Sequence, residues 1–285
     1  MRLITYTLNG KAVPGLLSPS GQDVFLLNRW GFGDALAFIA AGEGAWTEAE
    51  NHSKTAPPNA FRSLSEGNLL APIQRPGKIL CVGLNYRDHA IESKMELPAV
   101  PAVFTKFTNA LIGSGERIVI PGMTREPDYE AELAIVIGRR AVKVAAADWQ
   151  DYVFGYTILN DVSARDIQLS TSQWSLGKSF NTFAPLGPAI VSRSEISDPH
   201  ALDIRLSIDG ETLQHSNTRE LIFKAPDLIE YLSSIVPLEA GDIISTGTPA
   251  GVGMGRTPKR WLRPGEVVSI EIEGIGRLSN PVAAE

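Results

Sequence analysis

The stretch Asp128-Tyr129-Glu130-Ala131-Glu132-Leu133-Ala134-Ile135-Val136-Ile137-Gly138 constrains this chain more than any other. Successive side chains of a β-strand alternate between faces, so Ala131, Leu133, Ile135 and Ile137 form one apolar side. Glu130 and Glu132 share the other. Like charges at neighbouring same-face positions repel, and drying them adds a desolvation cost. Such a strand needs either solvent over its polar face or a positive charge between the carboxylates. A half-exposed strand meets the first condition and a divalent cation meets the second; the spacing alone leaves both open.

Composition narrows the class. With 44% hydrophobic and 20% charged residues, and with Gly and Pro scattered as turn punctuation, the 285 residues predict an ordered, loop-rich β or α+β protein. A net charge of −6 without clustered Lys and Arg argues against a nucleic-acid surface and leaves small molecules as the expected partners. No apolar run reaches membrane-spanning length, and Met1–Thr7 lacks a leader-like pattern, so no membrane association and a cytoplasmic location are expected. The single cysteine, Cys81, excludes an internal disulfide and reads as a small buried strand residue.

Residues 1–72 read as a small N-terminal α+β domain, with strand-like runs at 3–8 and 24–27 and a helical stretch at 33–41. Prolines at 57, 58 and 72 mark the run into a second unit, 73–285. That unit opens with a strand at 78–82 and then Gly83-Leu84-Asn85-Tyr86-Arg87-Asp88-His89-Ala90-Ile91-Glu92. With Asn85 as helix N-cap, the i to i+3 spacing places His89 and Glu92 on one helical face. A carboxylate beside a histidine fixes its tautomer and stabilises the imidazolium, a general-base arrangement; the alternative is a surface ion pair. The polar stretch from Asn85 to Pro101 is expected to close over substrate as a lid.

A strand at 152–160 runs into Asp161, a third ligand candidate whose alternative is helix capping, although Ser163 and Asp166 can cap without it. Arg165 and Gln168, three apart on one face, can hold a substrate carboxylate. Gly177-Lys178-Ser179 is not a nucleotide loop, because the required earlier glycine would fall at Ser172; Lys178 is either solvated or a cation beside a developing oxyanion. The loop Ser245–Gly253 is rich in backbone donors, but the third glycine of a dinucleotide pattern would fall at Arg256. Strands at 202–208 and 267–272, a hairpin turn at Asp209-Gly210 and a helix at 225–235 complete the pattern. No Gly-x-Ser-x-Gly elbow or His-x-x-x-His pair occurs.

Five motifs in order resemble the fumarylacetoacetate hydrolase family over roughly residues 73–282. They are Gly83–His89, Asp128–Leu133, Asn160–Asp166, Gly177–Phe180 and Gly247-Thr248-Pro249. The resemblance implies an α+β fold, mainly β, with a rolled mixed β-sheet behind a small N-terminal domain, often a homodimer. It implies Glu130, Glu132 and Asp161 as ligands of Mg²⁺ or Mn²⁺, His89 with Glu92 as a water-activating dyad, and Lys178 on the oxyanion side. Tyr86, Arg165, Gln168 and Thr248 match substrate-pocket positions; Asn181 departs from the Asp found in many relatives. The implied reaction is hydrolysis of an acylpyruvate to pyruvate and a carboxylic acid. The alternatives are isomerisation of a hydroxymuconate-like diacid, decarboxylation of oxaloacetate, or an inert binding protein. His89-x-x-Glu92 favours hydrolysis, since the other two reactions need no activated water.

Overall fold

A computed structural model describes residues 1–92 and 96–285 of the chain. Two sheets carry the fold, and strands outweigh helices as expected for an α+β protein that is mainly β. In spatial order the larger sheet runs β4 (Phe61–Ser63), β3 (Asp23–Leu26), β2 (Lys11–Leu17), β1 (Arg2–Leu8), β10 (Ala184–Ser192), β9 (Val153–Asn160), β8 (Ala131–Ile137), β13 (Ile243–Ser245), β5 (Ile79–Gly83) and β6 (Ala102–Thr105). It is mixed: β5 and β13 run parallel, while β8 is antiparallel to both its neighbours, β9 and β13. The smaller sheet runs β12 (Glu211–Asn217), β11 (Asp203–Ile208), β14 (Val267–Ile272), β15 (Gly276–Ala284) and β7 (Ile118–Ile120).

Strand β8 is buried at all seven positions, so the half-exposed reading of this strand fails. Its odd-numbered residues Leu133, Ile135 and Ile137 share a core with Ile204, Leu206, Val268 and Ile270 of the smaller sheet and with Leu228 and Leu232 of helix α6 (Ala225–Ile235). Its even-numbered residues face the other way: Ala134 packs with Cys81 and Leu159, and Val136 with Phe38 and Phe154. Each fully buried Leu, Ile or Phe contributes roughly 1.5–3 kcal/mol. These two layers hold the strand that carries Glu132 in a dry position. The β11–β12 hairpin turns at Asp209 and Gly210, with φ of 49° and 87°, the left-handed pair that a two-residue turn requires.

The expected boundary near residue 72 falls in a loop, but strands on both sides of it share the large sheet, because β1 pairs antiparallel with β10. Helix α1 (Ala35–Ala40) also packs its Phe38 and Ile39 into the cluster that contains Val136 and Phe154.

Candidate active site

Topology brings the acidic residues together. Because β8 and β9 are antiparallel, with Ala131 opposite Asn160, the start of one lies beside the end of the other. The Asp161 N–H continues the ladder by donating to the Glu130 carbonyl at 3.0 Å. Glu130, Glu132 and Asp161 are all buried, and each offers a carboxylate oxygen within 4.8 Å of the other two. Strands β5 and β13 end on the same side, which delivers helix α3 (Arg87–Glu92) and the 246–251 loop to this end of the sheet. Between β5 and α3, Leu84 adopts φ of 54°, a left-handed conformation that costs a non-glycine residue roughly 1–2 kcal/mol.

Burying carboxylates costs several kcal/mol each unless they are paired. Lys178, at the end of α5 (Ser175–Lys178), donates to Glu130 Oε2 at 2.7 Å and to Asp161 Oδ2 at 2.9 Å. Arg165, opening α4 (Arg165–Gln168), donates through Nε to Asp128 at 2.8 Å, through Nη2 to Glu130 Oε1 at 2.5 Å and through Nη1 to Gln168 at 3.0 Å. Lys106 reaches Asp161 Oδ1 at 2.6 Å. Burial alone would push the Glu130 carboxyl up, but Arg165 and Lys178 outweigh it and hold it at about 2. Burial lowers the Lys106 ammonium against the pull of Asp161, whereas Asp161 and Glu130 outweigh burial and raise Lys178.

Glu132 is the exception. It is 2% exposed and forms no salt bridge with Lys, Arg or His among the described residues. Its Oε2 accepts from the Ser245 hydroxyl and from the Gly247 N–H at 3.0 Å. Burial first, then Asp161 and Glu130, push its carboxyl well above the usual range. Four buried acids, Asp128, Glu130, Glu132 and Asp161, therefore face three buried cations, Lys106, Arg165 and Lys178. With every group ionised, one negative charge would be left over, on Glu132, which a proton or a cation can answer. An all-oxygen donor set with uncompensated negative charge fits a hard divalent cation such as Mg²⁺ or Mn²⁺.

His89 is buried, and its Nδ1 lies 3.1 Å from Glu92 Oε2; Glu92 Oε1 accepts the Gly251 N–H at 2.9 Å. His89 lines a cavity of about 390 Å³ together with Glu92, Glu130, Glu132, Arg165, Gln168, Lys178 and Thr248. Thr248 Oγ1 accepts from Gln214 Nε2 at 2.9 Å, which leaves its own proton free to donate.

Several expectations change. Tyr86 does not line the cavity; it is fully buried behind it, and its hydroxyl has no hydrogen-bond partner among the described residues. Lys178 sits among the carboxylates and is neither solvated nor free. Arg165 already holds two carboxylates of the chain, which makes it first a support for Glu130. Asn85 does not cap α3: its side chain bonds the backbone of Phe223 and Thr246. Ser163 does not cap α4 either, since its hydroxyl donates to the Asp161 carbonyl. Residues 93–95 of the expected lid lie outside the described residues. Lys106 and Gln214 escaped the sequence reading. Gln214 accepts from the Ala131 N–H at 3.0 Å and so ties β12 to the start of β8.

Comparison with known proteins places this architecture. The profile for the fumarylacetoacetate (FAA) hydrolase C-terminal region matches residues 78–283. A mitochondrial oxaloacetate tautomerase of Xenopus laevis, fahd2, is 42% identical over 99% of this chain and 90% of its own length. The fumarylacetoacetate hydrolase of the psychrophilic Exiguobacterium antarcticum superimposes with a TM-score of 0.88 at 32% identity, covering 100% of both chains. A maleylpyruvate hydrolase from Sphingobium sp. SYK-6, solved with manganese(II) and pyruvate, gives 0.84 at 28% identity over 100% of this chain and 99% of its own. With its site-bearing region matched end to end by that profile and its whole length matched by these relatives, the chain belongs to the fumarylacetoacetate hydrolase family.

Proposed function

We propose that this protein interconverts the keto and enol forms of 2-oxo acids, with oxaloacetate as the substrate to which its relatives point. One observation carries the reading: a buried carboxylate cluster with one negative charge to spare and a His–Glu pair open on the same cavity. Glu130, Glu132 and Asp161 would hold a divalent cation, which would supply a Lewis acid favouring the enolate form of a 2-oxo acid. His89 moves the proton at C3, and Glu92, fixed by the Gly251 N–H, keeps the imidazole in one tautomer and steadies its charged form. In the ketonising direction the C2=C3 electron pair takes a proton at C3 while the enol O–H loses one, so the atoms balance without any co-reactant. Arg165, Lys178 and Lys106 hold Glu130 and Asp161 in place, and Thr248 offers a hydroxyl to the substrate.

The sequence alone favours hydrolysis of acylpyruvates and keeps oxaloacetate as a substrate for decarboxylation. Tautomerisation shares the enolate on which each depends, and the 42% identical relative weighs towards it. Hydrolysis stays as the second reading because the His89–Glu92 pair can equally activate a water.

The decay of enol-oxaloacetate, followed by its ultraviolet absorbance with Mg²⁺ present, tests the proposal. Wild-type protein is expected to accelerate it, His89→Ala to slow it by about a hundredfold, and Glu130→Ala to abolish it. Pyruvate release from acetylpyruvate without any acceleration of the enol decay would replace this reading with the hydrolytic one.

A further inference from the structure

One part of the cavity wall differs in chemistry from the carboxylates. Phe104, Trp174, Leu84, Leu169 and Met254 line it. The wall is built: Phe104 and Trp174 pack edge to face with centroids 5.5 Å apart. Gly83 lets the indole lie against the end of β5, where a Cβ would come within 2.5 Å of Trp174 Cζ3. Phe104 also lies 5.0 Å beneath the Lys178 ammonium, which joins the aromatic wall to the carboxylate cluster.

Charge points the same way. Among the described residues the cavity-lining Lys and Arg are Arg165 and Lys178, and both are already engaged by carboxylates of the chain. Among the described residues, a second substrate carboxylate, as in oxaloacetate, meets no uncommitted ammonium or guanidinium there. An apolar group would instead exchange water for aromatic and aliphatic surface. A cavity of about 390 Å³ is also on the scale of sites that enclose drug-sized ligands, larger than a four-carbon diacid requires.

Resting on the keto–enol reading above, we propose that the preferred substrate is a 2-oxo acid bearing an aromatic or other apolar group on C3 or C4, seated against Trp174 and Phe104. Oxaloacetate is then a usable but poorer substrate. The reaction is unchanged: the C3–H bond breaks, the proton passes through His89, and the C2 oxygen gains one.

Keto–enol interconversion of oxaloacetate, phenylpyruvate and benzoylpyruvate by the Mg²⁺-loaded protein tests this. For wild type, kcat/KM on the aryl compounds is expected to exceed that on oxaloacetate by about tenfold or more. Trp174→Ala should lower the aryl values by about tenfold and leave oxaloacetate within about threefold. Leu169→Arg, at an exposed position on the rim, adds a cation and should shift preference back towards oxaloacetate; it decides the matter should Trp174→Ala fail to fold. Wild-type preference for oxaloacetate, or an equal loss on all three substrates in Trp174→Ala, would overturn the inference while leaving the tautomerase reading intact. No acceleration on any of the three would sink the tautomerase reading itself.

Discussion

A carboxylate at Glu132 meets burial, two neighbouring acids and no cationic partner among the described residues, and that combination makes a proton and a metal ion competitors for it. Its folded value is raised, so the stability it contributes without metal is complete below the ordinary glutamate range and is lost as pH climbs through the raised value. Cation binding needs the carboxylate and so grows stronger over the same interval. The rise in Tm on replacing EDTA with Mg²⁺ should therefore be small near about pH 5 and grow towards about pH 8, reaching the equivalent of roughly 2.7 kcal/mol when the ion is a hundredfold above its Kd. Glu132→Gln should shrink the rise and flatten its pH dependence; a pH-independent rise in the wild type would contradict the account. At this scale the sequence was legible where strand alternation puts two side chains on one face, as for Glu130 and Glu132. It was not legible where a partner comes from far along the chain. Lys106 lies 55 residues from Asp161 and Gln214 lies 83 from Ala131, and neither distance leaves a local pattern.

The elements that carry the supporting cations are short and rely on close packing. Helices α4 and α5 meet at Gly177, where an added Cβ would fall 2.4 Å from the Gln168 backbone nitrogen. Arg165 and Gln168 ride on one helix and Lys178 on the other, so this contact sets the distance between them. Gly177→Ala must part the two helices, at about 1–3 kcal/mol as overpacking commonly costs. It should also lower kcat by about tenfold to a hundredfold through misplaced groups. Urea denaturation and enol-oxaloacetate turnover measure the two effects, and unchanged values for both would show that the helices yield without consequence. Helix α6, strand β14 and the Asp209-Gly210 turn were readable from local periodicity and turn chemistry. The roles given to Asn85 and Ser163 were not, because each side chain found a tertiary backbone partner in place of the local cap.

For the molecule as a whole, the sheet that positions the site crosses the expected domain boundary. Residues 1–72 supply β1 to β4 and part of the core behind Val136 and Phe154, although they contribute no side chain to the cavity lining among the described residues. The motifs pointed to the fold class but not to this continuity, since the β1–β10 pairing joins segments nearly two hundred residues apart, as Leu3 opposite Ile190 illustrates. What the assembled fold achieves is a buried carboxylate cluster with one acid more than its cations, lining the same cavity as a histidine. Hydrogen–deuterium exchange at C3 of oxaloacetate in D₂O, followed by NMR with equal Mg²⁺ in every sample, tests that claim most directly. Wild-type protein is predicted to speed exchange by about a hundredfold or more over Mg²⁺ alone, and Glu130→Ala to return it to the protein-free rate. Exchange no faster than in Mg²⁺ buffer, or undiminished in Glu130→Ala, would contradict it.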